Sequence, residues 1–565
     1  MNNDSTSKGA VLPRSVAVLA CLLLLSPVFR ATPASPPPSG GETAIGGAIS
    51  GEVRLSGRIR VTEDLLVPAG ATLVLSPGTV LSFDKGESSK VDPEYFFGGP
   101  EIVVRGTMRA AETEFRFPGR TGGIVIDGGQ AALSGCRVSG AEAGISVVRH
   151  GKVAAEGSLV VTDCRVGVAF FPDRTPAWDG DAEVTLRKNT VAVVRFAGAP
   201  PVPKVFRWAE SEEADVVAWG ESNAEDRTQG GGAVPVPGPG AARFGDTFID
   251  RDRIVEGDAI VDGIVRVAPG ATLTILPGSR LFFTFRDTNG DGIGENGIFL
   301  QGNLAARGTG EKPIGFYPFP PGGRGRWDSI NFMASETGAN VLEHVEIVGA
   351  YRGLHAHFST LAAREIRIAD CFRGIQFQES EVAIAGVTIS DSSSALRCRD
   401  SNVRIAGFRT RDTVSGANFF RSVVRLDGAE MTRPGWYGIR FRESRVEASD
   451  GTFREGFVAV SAQEGTVRAG RFAAESAGLA GFAWQEGDVT MSQCRSSGSL
   501  LDGVSATGGK VVLLGGSITG FARYAVKLGG PADVVLRGVD LGAGKKQDPI
   551  YDGRVAPGLG IVRVE

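Results

Sequence analysis

The feature that most constrains this chain is a repeat of 21 to 22 residues in its second half. One apolar position recurs at that interval, and a further copy follows after 23 residues. The recurring residues are Leu361, Val382, Val403, Val424, Val446, Val467, Val489, Val511 and Val534. A fixed period of this length indicates stacked copies of one small unit rather than a single globular core.

Each copy contains two short stretches in which apolar and polar residues alternate, such as residues 374–380 and 382–384. Alternation of this kind is typical of a strand with one face inward. No stretch between strands is long enough for a crossover helix. The sequence therefore predicts an all-β fold, a right-handed parallel β-helix (a solenoid) with coils about 4.8 Å apart. A propeller blade would need about twice this period.

These coils resemble the right-handed β-helix family, the pectate-lyase-like superfold, in its carbohydrate-binding and sugar-hydrolase repeat form. The resemblance covers about half of the chain and is typical of exported bacterial proteins. It implies a fold and not an activity, because one superfold carries many functions.

The front half holds a related module. Residues 67–73 (VPAGATL) recur as residues 267–273 (VAPGATL), and a Pro-Gly pair follows each. Because the open end of a solenoid exposes unpaired strand edges, a distinct opening coil is expected for each module. The predicted organisation is signal peptide 1–34, linker 35–47, first β-helix module 48–198, linker or irregular excursion 199–252, second and longer β-helix module 253–545, and C-terminal tail or cap 546–565.

The N-terminus predicts export. Lys8 and Arg14 precede a nearly continuous apolar run at residues 16–29, the pattern of a secretory signal. An alternative is a lipid anchor on Cys21, within a lipobox-like Val-Leu-Ala-Cys. No second long apolar run occurs, so no transmembrane helix is expected in the mature chain. The protein is expected in the periplasm, on the cell surface or outside the cell.

The charge balance bears on partners. The chain has 60 basic and 64 acidic residues, a net charge of −4. Nucleic-acid binders carry a basic excess, so no nucleic-acid partner is expected. A polysaccharide or an envelope protein remains as the expected partner.

Residues 287–295 predict calcium as a cofactor. Asp287, Asn289, Asp291 and Glu295 place side-chain oxygens at positions 1, 3, 5 and 9, with glycine at position 6. A hard cation needs several oxygens from one short turn, and this spacing supplies them. Position 12 is Ile298, so an EF-hand is not implied. The expected role is structural, closing the cap of the second module, and the alternative is a solvated polar turn.

A His-x-His pair predicts a transition-metal site. His355 and His357 lie two residues apart in a strand and therefore share a face. With Gln376 and Gln378 of the next coil they would bind copper or zinc. The alternative is an ordinary outward strand face.

Stacking the coils predicts outward columns that are rich in arginine. Four arginines fall on one face: Arg397, Arg399, Arg440 and Arg442. Guanidinium groups match carboxylates, so this face is a candidate for binding an acidic glycan. The alternative is a solvated sheet in which the arginines pair with neighbouring acids.

No catalytic residues can be assigned. The polygalacturonase motifs Asn-Thr-Asp, Asp-Asp, Gly-His-Gly and Arg-Ile-Lys are all missing. The sequence favours an exported cell-envelope β-helix that acts as a non-catalytic binding or structural surface for glycan or protein. Two alternatives stay open: a polysaccharide lyase or glycoside hydrolase with an unrecognised site, and a periplasmic metal-handling protein.

Overall fold

A computed structural model describes residues 43–84, 95, 99–172, 178–219, 234–542, 550–552 and 562–565. Throughout these residues the chain is all β, and its strands form two sheets with parallel pairing. The structure is a right-handed parallel β-helix, as the repeat predicted. The predicted signal peptide, Cys21 and most of the first linker lie outside the described residues.

The first sheet contains 18 strands and forms the first β-helix. Its strands are β1 (Thr43–Ala48), β2 (Glu52–Leu55), β3 (Arg58–Val67), β4 (Thr72–Leu75), β5 (Val80–Phe83), β6 (Ile102–Val104), β7 (Thr107–Ala111), β8 (Glu114–Arg116), β9 (Gly123–Asp127), β10 (Gln130–Ser139), β11 (Ala143–Val148), β12 (Lys152–Thr162), β13 (Val166–Phe170), β14 (Trp178–Asp179), β15 (Glu183–Arg187), β16 (Val191–Arg195), β17 (Phe206–Ala209) and β18 (Ala214–Ala218).

The second sheet contains 31 strands and forms the second β-helix. Its strands are β19 (Ala242–Phe244), β20 (Thr247–Ile249), β21 (Arg253–Val255), β22 (Asp258–Val261), β23 (Ile264–Val267), β24 (Thr272–Ile275), β25 (Arg280–Thr284), β26 (Gly297–Leu300), β27 (Asn303–Arg307), β28 (Ile314–Phe319), β29 (Trp327–Met333), β30 (Val341–Val348), β31 (Ala350–His357), β32 (Thr360–Ala369), β33 (Arg373–Gln378), β34 (Glu381–Ser390), β35 (Ser394–Arg399), β36 (Asn402–Arg411), β37 (Ser415–Phe420), β38 (Val423–Thr432), β39 (Tyr437–Arg454), β40 (Val458–Glu475), β41 (Ala480–Gln485), β42 (Asp488–Ser497), β43 (Asp502–Ala506), β44 (Gly509–Thr519), β45 (Val526–Leu528), β46 (Ala532–Arg537), β47 (Asp540–Leu541), β48 (Ile550–Asp552) and β49 (Val562–Val564).

Four short strands fall within residues 199–252, the stretch expected as a linker or excursion. Strands β17 and β18 join the first sheet, and β19 and β20 belong to the second. The proline-rich and acidic composition there concealed short strands at the ends of the solenoids. Residues 220–233 lie outside the described part of the chain.

Each later coil of the second β-helix consists of a short straight strand followed by a longer bent strand. The straight ladder comprises β31, β33, β35, β37 and the first part of β39, and the bent ladder comprises β32, β34, β36, β38 and the rest of β39. The bend falls at Gly386, Gly407 and Gly428 in successive coils, with φ of +78°, +68° and +72°. Glycine adopts this left-handed conformation without strain, so the repeat places it at the corner.

The core of the second β-helix is the predicted apolar ladder. Val382 lies beside Val403, and Val403 lies beside Val424. All three side chains are buried, which confirms the predicted stacking. Each fully buried side chain of this size stabilises the fold by about 1.5–3 kcal/mol.

The first β-helix carries strands that are buried on both faces. Every residue of β13 is buried, and so are the first four residues of β16, whereas β34 alternates between exposed and buried residues. Strands of this kind need cover on their outer face. The second β-helix provides it, because Val414, Trp436 and Phe457 join one apolar cluster with Val125 and Val194 of the first. The two solenoids therefore pack side by side.

The part of the chain that the structure describes includes no helix able to cross a membrane.

Candidate functional site

The predicted arginine columns form as expected. Arg397 pairs with Gln376 on one side and with Asn418 on the other, and Asn418 pairs with Arg440. The neighbouring column contains Gln378, Arg399, Phe420 and Arg442. We call these two columns the arginine face. The sequence placed every member in its correct register.

The arginine face is largely covered, because Arg397 and Arg442 are buried and Arg399 and Arg440 are half-buried. Arg397 is 4% exposed and Arg442 is 7% exposed, values typical of a protein interior. Arg440 lies 3.6 Å from Glu142 of the first β-helix. Arg440 therefore faces the neighbouring solenoid, whereas Arg399 lies 3.4 Å from Asp400 of its own coil, a pairing of the kind that the alternative expected. Glycan binding by these arginines stays a prediction, and their covered position does not support it.

One polar contact between the β-helices centres on Tyr437. Its hydroxyl donates a hydrogen bond of 3.0 Å to Glu142 and accepts one of 3.2 Å from Arg165. Burial raises the pKa of Tyr437, and the negative charge of Glu142 raises it further. The tyrosine is thus a neutral donor held between two charges, and the contact joins residues that are far apart in sequence.

A second polar contact centres on Asp127 of the first β-helix. Its carboxylate accepts hydrogen bonds from Arg149 at 2.7 Å, Arg105 at 3.1 Å and the Tyr95 hydroxyl at 2.6 Å. Burial alone would raise the pKa of Asp127, but the guanidinium groups of Arg149 and Arg105 outweigh it and hold the pKa below its ordinary value. The Tyr95 hydroxyl also lies 3.2 Å from Ser393 of the second β-helix. We call the region of these two contacts the seam.

The carboxylates of the seam are paired with arginine. Asp127 is buried beside Arg105 and Arg149, and Glu142 is buried 3.6 Å from Arg440. Removing one partner of a buried pair leaves an uncompensated charge, which is strongly destabilising.

The histidine pair lies at the predicted place. His355 is beside Gln376, and His357 is beside Gln378. The two Nε2 atoms are 2.9 Å apart, and Arg352 Nη1 lies 3.1 Å from Nδ1 of His355. Burial lowers the pKa of His355, and the charge of Arg352 lowers it further, so the ring is neutral.

This arrangement uses the ring nitrogens of His355 for hydrogen bonds. A metal bound through Nε2 of His355 would have to displace the hydrogen bond to His357. It would also lie close to the positive charge of Arg352. Among the described residues no group of three or more His, Cys, Asp and Glu side chains converges as a metal site would require. The metal site at His355 and His357 stays a prediction.

The predicted calcium loop is a tightly hydrogen-bonded turn. Asp287 Oδ1 accepts from the backbone amides of Gly290 at 2.8 Å and Asp291 at 3.1 Å. Glu295 Oε1 accepts from Thr288 N at 2.8 Å. Burial raises the pKa of Asp291. The four predicted ligands thus share one turn, and calcium binding there stays a prediction.

The calcium loop also touches the first β-helix. Gly292 approaches the turn at Pro68 and Ala69, which belongs to the opening coil of the first module. The expectation placed this loop over the cap of the second module alone. Its position brings it close to the opening coil of the first module as well.

An open groove runs along the bent ladder, on the side that lies before the bend. Its volume is about 620 Å³. Its floor consists of small side chains, among them Ala383, Ala385 and Ala406. These alanines are exposed, and Ala385 lies beside Ala406 on the adjacent strand. We call this feature the bent-face groove.

Charged side chains stand along the bent-face groove. Arg404 and Arg425 are neighbours on β36 and β38, and Glu447 follows on β39. Arg425 lies 3.4 Å from Glu447, and Asp427 accepts a hydrogen bond of 2.6 Å from Ser449. Sequence reasoning missed this surface, although the alanines opposite Arg404 in the aligned repeats were a visible signal of an open strip.

Comparisons with known proteins give little beyond the fold. No family model matches the chain, and no curated protein matches it. Solved structures of the periplasmic alginate epimerase AlgG are similar at low level. A double mutant is 8% identical with a TM-score of 0.21, over 56% of this chain and 77% of that one. A single mutant is 10% identical with a TM-score of 0.20, over 81% of this chain and 79% of that one. The protein without a mutation is 10% identical with a TM-score of 0.16, over 82% and 80%. Likeness this weak supports no argument about activity.

Proposed function

We propose that this protein is an exported, non-catalytic β-helix that binds carbohydrate in the bent-face groove. The observation that carries the proposal is the groove itself. It is open and extended, and an alanine floor with charged groups along it offers both apolar and polar contacts. Sugar-binding sites combine such surfaces, because a sugar ring has apolar faces and polar edges.

The geometry of the groove supports a chain-like ligand. Equivalent strand positions repeat at each coil, with a spacing of about 4.8 Å. The groove crosses five strands, β32, β34, β36, β38 and β39, and so extends about 19 Å along the solenoid axis. A linear oligosaccharide presents a repeat on the same scale and would lie parallel to that axis.

The side-by-side packing supports a scaffold role. The seam and the shared apolar cluster hold the two solenoids together, so the second β-helix presents the groove from a rigid body. Rigidity of the binding surface lowers the ordering entropy of association. A rigid platform is what a non-catalytic binding surface requires.

The experiment measures binding of the full mature chain to a glycan array, followed by calorimetry with the best ligand. Ala385→Trp fills the groove, and Thr388→Trp is its matched control. Both residues are exposed on β34, but they lie on opposite sides of the bend at Gly386. We expect Ala385→Trp to abolish binding and Thr388→Trp to preserve it. Equal binding by both variants would show that carbohydrate binds elsewhere.

A glycoside hydrolase is the second candidate, and one observation favours it. Two carboxylates, Asp427 and Glu447, line the same groove. Glycosidases use two carboxyl groups as acid and base or nucleophile. Against this, Glu447 is paired with Arg425 and Asp427 with Ser449. Release of shortened oligosaccharide that Glu447→Gln prevents would favour the hydrolase.

A further inference from the structure

We infer that the bent-face groove takes a short acidic oligosaccharide and that Arg404 binds one of its carboxylates. This inference rests on the proposed function, because it names the ligand class for the same groove. It moves acid recognition away from the arginine face, which is largely covered, to a different ladder of the solenoid.

Arg404 differs from Arg425 on the next strand and from Arg409 on its own strand, which both lie near acids. Arg425 lies 3.4 Å from Glu447, and Arg409 lies 3.7 Å from Glu430. Arg404 has no hydrogen bond or ion pair with the rest of the described chain. A guanidinium presents a planar fork of donors that matches a carboxylate. An exposed guanidinium without an internal acid is therefore available to an acidic ligand.

The surroundings of Arg404 leave room for that ligand. Its neighbour on the preceding strand is Ala383, and its neighbour on the same face of β36 is Ala406. Both side chains are short and exposed, so the arginine rises above a low apolar strip. A sugar ring lying on the alanines would bring a carboxylate at its edge beside the guanidinium. Such an arrangement contacts both the apolar ring face and the carboxylate of a uronic acid.

The sign of the charge changes within the groove. Asp427 lies on β38, two residues from Arg425 and beside Ala406, and Glu447 lies on β39 beside Arg425. A carboxylate of the ligand near these two acids would be repelled. Charge complementarity therefore favours a carboxylate at Arg404, on the side towards β34.

The probe is a uronic-acid hexasaccharide, and its control is the same hexasaccharide with the carboxyl groups reduced to alcohols. Calorimetry is performed with the full mature chain, with Arg404→Gln and with Arg409→Gln. The two arginines are matched, because both are exposed on β36 and lie on opposite sides of the bend at Gly407. Neither substitution alters a buried residue, so both variants should fold.

We expect Arg404→Gln to weaken binding of the hexasaccharide roughly five- to tenfold, the effect of one charge-assisted pair at an exposed site. Arg409→Gln should change it less than twofold. The reduced hexasaccharide should bind the unaltered chain and Arg404→Gln with the same weak affinity.

Four results would overturn the inference, and they separate it from the proposed function. If the reduced and acidic ligands bind equally, acid recognition is wrong and carbohydrate binding stands. If neither ligand nor any array glycan binds, the proposed function fails as well. If the acidic ligand binds and Arg404→Gln has no effect, the carboxylate lies at another residue. A concentration-dependent dimer that Ala385→Trp disrupts would identify a second copy of the chain as the occupant.

Discussion

The hydroxyl of Tyr437, in the second β-helix, donates a hydrogen bond of 3.0 Å to Glu142 of the first. The two residues are 295 positions apart in sequence. Burial raises the pKa of Tyr437, so the phenol stays protonated and remains a donor at neutral pH. This bond joins the straight ladder to the neighbouring solenoid.

Tyr437→Phe should therefore destabilise the whole chain. The substitution removes a neutral donor from a buried carboxylate, which costs about 1.5–3 kcal/mol in the free energy of unfolding. Urea denaturation followed by circular dichroism measures the change. Tyr351→Phe is the control, because the Tyr351 hydroxyl has no hydrogen bond in the described chain. Equal stability of the two variants would mean that the Tyr437 contact contributes nothing.

Asp127 should make stability depend on pH. Because its pKa is lower in the folded chain than in the unfolded chain, its stabilisation is present above the ordinary carboxyl pKa of about 4 and is lost as the pH falls through the lowered value. Asp127→Asn leaves three arginines, Arg105, Arg149 and Arg324, near an uncharged group. We expect a loss of about 3–5 kcal/mol at pH 7.

Urea midpoints at pH 7 and pH 3 test this prediction. The difference in stability between the natural chain and Asp127→Asn should be smaller at pH 3 than at pH 7. A difference that stays constant over this interval would show that the charge of Asp127 does not stabilise the seam.

Calcium should raise the thermal stability of the protein. Burial raises the pKa of Asp291, which means that its charged form is unfavourable in the fold without a cation. A cation that binds only the folded state stabilises it by mass action. The melting temperature should rise in millimolar calcium and fall again with EDTA.

Asp287→Ala combined with Asp291→Ala should remove the calcium response and leave glycan binding intact. Asp250→Ala is a control in an exposed turn outside the loop. A melting temperature that calcium and EDTA both leave unchanged is the result that rejects a calcium site.

The repeat predicted the register and the inward-facing residues of the second β-helix, because both follow from residue spacing within neighbouring stretches of sequence. The spacing of Val382, Val403 and Val424 sets the register, and alternation sets which side chains point inward. The same reasoning placed Arg397 and Arg440 in one outward column. It could not show that this outward side is covered, because the cover comes from a distant part of the chain.

The sequence did carry a signal for the cover. Residues 124–126 and 191–194 are continuous apolar runs, unlike the alternating strands of the second module. Continuous runs indicate strands that are buried on both faces. The repeat could not predict which residues cover this outer face, because the covering residues Trp436 and Phe457 lie in turns between strands.

The central prediction is that Arg404, and not the arginine face, is the cation that binds an acidic ligand. Modification of the native chain with an arginine-selective dicarbonyl reagent, mapped by peptide mass spectrometry, tests it directly. We predict rapid modification at Arg404, protection of that residue by the uronic-acid hexasaccharide, and little modification at Arg397 or Arg442, which are 4% and 7% exposed. Modification of Arg397 as fast as that of Arg404, or protection by the ligand at Arg397 instead, would contradict the account.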